Sequence, residues 1–167
     1  EMILHVYEAA KKTNTGDVYV ATPDQKIIDV ITNHGGKAIL TSLDHQTGTD
    51  RVYEVFKNEL KAEPNIIINL QGDMPNIDSK AITDLVSYMK KGECDIGTLA
   101  SKFSSEAELA DENNVKVVVK EKLKSDNFGK ANDFFRTSSN TFENVYHHVG
   151  IYAFTNKALV RYVSLER

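Results

Sequence analysis

The chain has 167 residues, 41% hydrophobic and 26% charged, a balance that suits a packed globular core and not a disordered tail. Its formal charge of −4 provides no polybasic footprint, so nucleic acid is not expected as a partner, and no apolar run approaches the roughly 20 residues of a membrane-spanning helix. A lone Cys94 excludes an internal disulfide, and without a basic, signal-like leader a cytoplasmic location is expected.

Residues 2–12 read as an amphipathic helix already under way, so the chain is expected to continue before Glu1. A short apolar strand follows at 18–21. Pro23 and Asp24 open a second helix through Ile27, Ile28, Val30 and Ile31, and His34-Gly35-Gly36 stops it. A strand at 37–40 leads through a polar loop to a helix at 49–60, where Val52, Val55, Phe56 and Leu60 share a face. Pro64 ends the next connection, and a strand at 65–70 is followed by a helix at 79–90 with Ile82, Leu85, Val86 and Met89 inward. A strand at 95–100 completes the series. Strands alternating with helices at this rhythm predict a mostly parallel sheet covered on both faces.

From about Ser101 the rhythm changes. An acidic turn or short helix at 105–111 precedes a strand at 115–120, a polar stretch at 121–133, the strand-like Phe134-Phe135-Arg136, a polar loop at 137–144 and a long strand at 145–154. The pattern predicts one α/β domain over 1–167 with a β-rich excursion. The last residues, 160–167, carry no capping glycine or proline, so that end is expected to be incomplete too.

Three stretches carry candidate chemistry. Gln71-Gly72-Asp73-Met74-Pro75 leaves the apolar run Ile66-Ile67-Ile68 and places a carboxylate where ligands bind in open α/β sheets, beyond the carboxyl ends of the strands. Two readings stand: Asp73 caps the helix near Asp78 or closes a turn, or it offers a hard oxygen to a divalent cation such as Mg2+. Ser42-Leu43-Asp44-His45-Gln46-Thr47-Gly48-Thr49-Asp50-Arg51 ends at a helix N-terminus, whose free N–H groups suit an anion or a base edge. The plainer reading is an N-cap by Thr47 or Thr49, Asp50 favouring the dipole and Arg51 solvated. In the strand around His147-His148, the pattern puts His148, Gly150 and Tyr152 on one face, for a polar pocket or for cross-strand packing. Phosphate P-loop, GxGxxG, zinc and GxSxG spacings are all absent, and Cys94 reads as structural.

Taken in order, Asp44-His45-Gln46-Thr47-Gly48-Thr49-Asp50-Arg51, Gln71-Gly72-Asp73-Met74-Pro75, Asn114-Val115-Lys116-Val117-Val118 and His148-Val149-Gly150-Ile151-Tyr152 resemble the 3-deoxy-manno-octulosonate (Kdo) cytidylyltransferase family over nearly the whole chain. The resemblance implies a nucleotide-diphospho-sugar transferase-like fold, three-layer α/β/α, with the β-rich excursion used for homodimerisation. It implies CTP and Kdo as substrates, CMP-Kdo and pyrophosphate as products for lipopolysaccharide synthesis, and Mg2+ as cofactor. By position, Asp73 becomes the catalytic metal ligand, Thr47, Gly48 and Thr49 the cytidine side, and Gln71, Arg136, His148 and Tyr152 the side of the sugar acid.

Two departures stand out. Met74 occupies a position where the family usually carries Glu, and neither the family's Pro-Gly-Lys-Pro phosphate loop nor its second metal carboxylate is found in these 167 residues. The chain is therefore expected to be the middle of such an enzyme. A non-catalytic binding or dimerising relative, and a sister cytidylyltransferase for a sugar acid such as sialic acid, are the rival expectations.

Overall fold

The computed structural model describes residues 1–60, 64–124, 128–138 and 142–166, so parts of the two polar stretches, at 125–127 and 139–141, lie outside the described residues. The elements in chain order are α1 (Met2–Lys12), β1 (Val20–Thr22), α2 (Gln25–Asn33), β2 (Ala38–Leu40), α3 (Gly48–Glu59), β3 (Ile66–Asn69), α4 (Ser79–Met89), β4 (Ile96–Ser101), α5 (Glu106–Ala110), β5 (Lys116–Val119), β6 (Ala131–Phe135), β7 (Val145–Thr155) and α6 (Asn156–Val163). The chain divides into two compact units, one of Glu1–Gly97 with Ile151–Arg167 and one of Thr98–Gly150. The second holds most of the expected β-rich excursion, while residues 151–154 of its last strand belong to the first.

In the first unit, local chemistry fixes the helix ends. Asp24 caps α2 by accepting the Lys26 N–H at 2.8 Å, and Asp78 caps α4 by accepting the Lys80 N–H at 2.8 Å. After α2 the chain turns through Gly35 at φ +72, with the Gly35 and Gly36 N–H groups returning to the Thr32 and Ile31 carbonyls at 2.9 Å each. Glycine tolerates that left-handed geometry where other residues are strained, which is why the His-Gly-Gly run stops the helix. Thr155 caps α6, a helix that the sequence reading did not anticipate.

β1 and β2 pair in parallel, Val20 opposite Ala38. The expectation of mostly parallel pairing meets a difference at β7, which runs antiparallel to β3 with Ile67 opposite Phe154 and Asn69 opposite Tyr152. β7 arrives from the excursion and not from a crossover helix, so nothing obliges it to run with β3. Ile67 and Phe154 share a face and pack with Ala158 and Leu159 of α6 against Val52, Tyr53 and Phe56 of α3. All four of the expected inward residues of α4, Ile82, Leu85, Val86 and Met89, are buried. Gly97 is where β4 passes α4: an added Cβ would lie 2.9 Å from Leu85 Cδ1 and 3.0 Å from Met89 Sδ.

In the second unit, β5 lies between β6 and β7 and is antiparallel to both. Val117, Val119 and Tyr146 form its core with Leu123, whose N–H donates to the Tyr146 hydroxyl at 2.9 Å. The Lys116 side chain is buried as well, and its ammonium donates to the Asp111 carbonyl at 2.5 Å and the Arg136 carbonyl at 2.8 Å. Two of its three N–H donors are met by these backbone carbonyls, which offsets part of the cost of enclosing an ammonium.

Candidate active site

The first unit brings Thr47, Gly48, Thr49, Gln71 and Tyr152 to the end of β3, the stretch of β7 paired with it and the start of α3. Because side chains alternate along a strand, Asn69 shares the face of Ile67, toward α3, and lies opposite Tyr152. There Asn69, 3% exposed, donates from Nδ2 to Thr49 Oγ1 at 3.1 Å, while Gln71 Nε2 donates to Asn69 Oδ1 at 3.1 Å. Gln71 also lies over Gly48: a Cβ there would be 3.3 Å from its Nε2 and 3.4 Å from its Oε1. Gly48, Thr49 and Gln71 are thus in one constellation, joined by a residue the sequence reading passed over. The missed signal was a polar side chain two places after a core isoleucine, which the strand period puts on the buried face.

The loop before α3 is braced from both ends. Thr47 is the N-cap: its hydroxyl oxygen accepts the Asp50 N–H at 3.3 Å, and the Asp50 carboxylate accepts the Thr47 N–H at 3.2 Å, a reciprocal capping box. Arg51, expected as a solvated first-turn residue, instead donates from Nη1 to the Thr41 hydroxyl and to the Ser42 carbonyl. His45 hydrogen-bonds through Nε2 to Glu54, whose Oε2 also accepts the Ser42 N–H at 3.1 Å. These two bonds, the histidine's first, hold the Glu54 carboxyl below the usual carboxylate range. Helix capping by Thr47 and a nucleotide-facing role for 47–49 are compatible, since capping spends one N–H of several in the first turn.

Asp73 occupies the turn after β3 and is exposed. Among the described residues no hydrogen bond or ion pair engages its carboxylate, and the α4 cap belongs to Asp78, so the capping alternative for Asp73 is excluded. Gly72 makes room for the Ile3 side chain, whose Cδ1 would lie 3.0 Å from an added Cβ; its lack of a side chain is therefore used by α1 packing as well. No group of three or more His, Cys, Asp or Glu that could hold a metal gathers among the described residues. A lone exposed carboxylate still fits Mg2+, which takes one or two carboxylates and completes its shell with phosphate oxygens and water. Tyr152 is half-buried, and burial, with Tyr162 second, pushes its phenol up, keeping it a protonated hydrogen-bond donor at neutral pH.

Arg136 and His148 belong to the second unit. Arg136 donates from Nη1 to the Asn113 carbonyl at 2.7 Å and the Glu112 carbonyl at 3.3 Å, and among the described residues its guanidinium makes no other hydrogen bond. His148 is 8% exposed, hydrogen-bonded through Nε2 to Thr98 Oγ1 at 2.9 Å, with Phe134 edge-on to its ring at 5.2 Å. Burial, then the neighbouring His147, pushes its imidazole below its ordinary value, so it is neutral near pH 7. Cys94 is also committed to packing: its thiol reaches Met89 Sδ at 3.4 Å, and burial pushes it up, away from the reactive thiolate.

A family model described as cytidylyltransferase matches residues 1–167. The chain belongs to the cytidylyltransferase family. It is 38% identical to the 8-amino-3,8-dideoxy-manno-octulosonate cytidylyltransferase of Shewanella halifaxensis, with 98% of this chain and 68% of that protein covered. It is 36% identical to the 3-deoxy-manno-octulosonate cytidylyltransferase of Bartonella henselae, over 99% of this chain and 68% of that protein. Among solved structures, a CMP:2-keto-3-deoxy-manno-octonic acid synthetase complexed with CTP superposes with a TM-score of 0.85 at 36% identity, covering 99% of this chain and 68% of that one. A 4-diphosphocytidyl-2C-methyl-D-erythritol synthase from Anaerococcus prevotii, 13% identical with a TM-score of 0.62, shares the fold. The resemblance read from the four motifs, and the nucleotidyltransferase-like α/β fold it implied, are both borne out.

Proposed function

We propose that this chain is the body of an enzyme that transfers the cytidylyl group of CTP to Kdo, giving CMP-Kdo and pyrophosphate. The observation that carries the reading is the hydrogen-bonded constellation in which Asn69 joins Thr49 and Gln71, residues of two of the four motifs, over Gly48. In the reaction the sugar's anomeric hydroxyl oxygen forms a bond to the α-phosphorus of CTP. The bond from that phosphorus to the bridging oxygen breaks, pyrophosphate leaves, and the hydroxyl proton passes to solvent.

The chain's own residues account for binding and orientation. The N–H groups of Gly48 and Thr49, which the capping box does not use, meet the cytidine side beside Thr47 at the start of α3. Gln71 and the Tyr152 hydroxyl supply neutral hydrogen bonds to the sugar acid, and Arg136 pairs with its carboxylate through the guanidinium edges not spent on 112–113. The neutral, buried His148 supports the sugar side without adding charge. Asp73 would hold Mg2+, which when bound stabilises negative charge on the phosphates and the leaving pyrophosphate. A homodimer formed through the Thr98–Gly150 unit belongs to the same reading, supported by β6, the end strand of its sheet, and by Phe134, which is 46% exposed. So does a cytoplasmic location; separately, no helix among the described residues is long and apolar enough to cross a membrane.

The identity with relatives named for 8-amino-3,8-dideoxy-manno-octulosonate favours one second reading, in which the acceptor carries an amine in place of the terminal hydroxyl. Pyrophosphate release by the intact protein, followed with Kdo, the 8-amino sugar and sialic acid at equal concentration, separates these. Preference for Kdo supports the proposal, preference for the 8-amino sugar selects the second reading, and preference for sialic acid refutes both. Sedimentation of a monomer at micromolar concentration would refute the dimer.

A further inference from the structure

Asn69 has no role in the account of binding so far, yet it is among the most enclosed polar side chains of the first unit. At 3% exposure its amide is engaged at both ends by neighbours of opposite duty: Oδ1 accepts from Gln71 Nε2 and Nδ2 donates to Thr49 Oγ1, each at 3.1 Å. A buried amide is retained only where both ends are satisfied, since each unmet group carries its full desolvation cost. The relay also has direction. With one Nε2–H of Gln71 committed inward, its Oε1 and its second N–H are the groups left to meet a ligand. The same bond to Thr49 ties that orientation to the first turn of α3. Gly48 completes the arrangement, because the Gln71 amide lies across it with both terminal atoms within 3.4 Å of where a Cβ would stand.

Resting on the reading of Gln71 as a contact to the sugar acid, we infer that Asn69 is a positioning residue for that contact. It fixes which groups of Gln71 face the substrate and locks them to the nucleotide-side helix start through Thr49. It touches no substrate and acts only through its two partners. Gly48 serves the same end by leaving room for the amide.

The test uses the intact protein and steady-state kinetics with sugar acid and CTP varied separately. Asn69→Leu removes both hydrogen bonds and is expected to raise the KM for the sugar acid about tenfold, the factor that corresponds to one lost neutral hydrogen bond, with the KM for CTP changed less than about threefold. Asn69→Asp keeps an acceptor for both Gln71 and the Thr49 hydroxyl and should restore most of the sugar-acid KM at a pH where it is accepted into the fold. Gly48→Ala, which displaces the Gln71 amide without touching Asn69, should reproduce the Asn69→Leu effect on the sugar acid. The deciding measurement is made in a Gln71→Leu background, where Asn69→Leu should have no further effect on the sugar-acid KM, because the group it orients is gone. Sugar-acid KM values that worsen equally in both backgrounds, or that do not move in Asn69→Leu while the wild type turns over, overturn the positioning role alone. A wild-type protein that turns over none of the sugar acids overturns the proposed function and this role with it.

Discussion

Asp73→Asn separates a metal ligand from a turn residue. The substitution keeps the side chain's shape and removes its charge. Because Asp78, not Asp73, accepts the Lys80 N–H at the start of α4, and because Asp73 is exposed with no partner among the described residues, folding should barely register the change. A surface substitution of this kind shifts stability by less than about 0.5 kcal/mol, or a melting temperature by no more than about 2 °C in a chain of this size. Loss of a charged metal ligand, by contrast, removes on the order of 3–4 kcal/mol of transition-state stabilisation, a fall in turnover of about 10²–10³-fold. Asp78→Ala is the mirror control: it deletes a helix cap worth about 1 kcal/mol and should lower the melting temperature by about 2–4 °C with turnover within about twofold of wild type. Both variants are assayed by pyrophosphate release at saturating Mg2+ and by thermal melting of the same preparations. An Asp73→Asn protein with near wild-type turnover, or one destabilised as much as Asp78→Ala, refutes the metal-ligand reasoning.

Two further outcomes follow from packing and burial. Gly36→Ala would put a Cβ 2.6 Å from Ile31 Cγ2 and 3.0 Å from the Ile31 carbonyl oxygen, and with Ile31 fully enclosed the variant should lose about 1–3 kcal/mol in urea unfolding; an unchanged midpoint would show that the α2 exit relaxes freely. His148 has its folded value pushed below the ordinary 6.5, so the unfolded chain binds the extra proton, and this contribution to stability is complete above about pH 6.5 and is lost as pH falls toward the lower folded value. Melting of the wild type relative to His148→Gln should therefore worsen between pH 7 and pH 5; a constant difference across that range contradicts the buried neutral imidazole.

Much of this was legible in the sequence because the signals were local. Asp24 and the His34-Gly35-Gly36 run mark the ends of α2 by chemistry that acts within a few residues, and the spacing of Ile82, Leu85, Val86 and Met89 alone assigns the buried face of α4. The direction of β7 was not legible, since pairing partners are a property of three dimensions and the alternation of a strand is the same whichever way its neighbour runs. The short α6 was missed because its buried Ala158 and Leu159 are adjacent, which gives little helical period in eight residues. At the site, the motifs gave Gln71 and Thr49 by likeness, while Asn69, inside the expected strand at 65–70, had no role until the register placed it opposite Tyr152 on the buried face. Arg51 was misread for a similar reason: its acceptors, Thr41 and the Ser42 carbonyl, lie about ten positions away across the loop.

The most direct test of the central claim is the identity of the product. Incubation of the intact protein with CTP, Mg2+ and Kdo, followed by phosphorus NMR of the mixture, should show the triphosphate signals replaced by inorganic pyrophosphate and one phosphodiester resonance that carries both cytidine and the eight-carbon acid. Triphosphate that persists unchanged in the presence of Kdo, or is hydrolysed to CMP without a sugar-linked phosphodiester, would contradict the account.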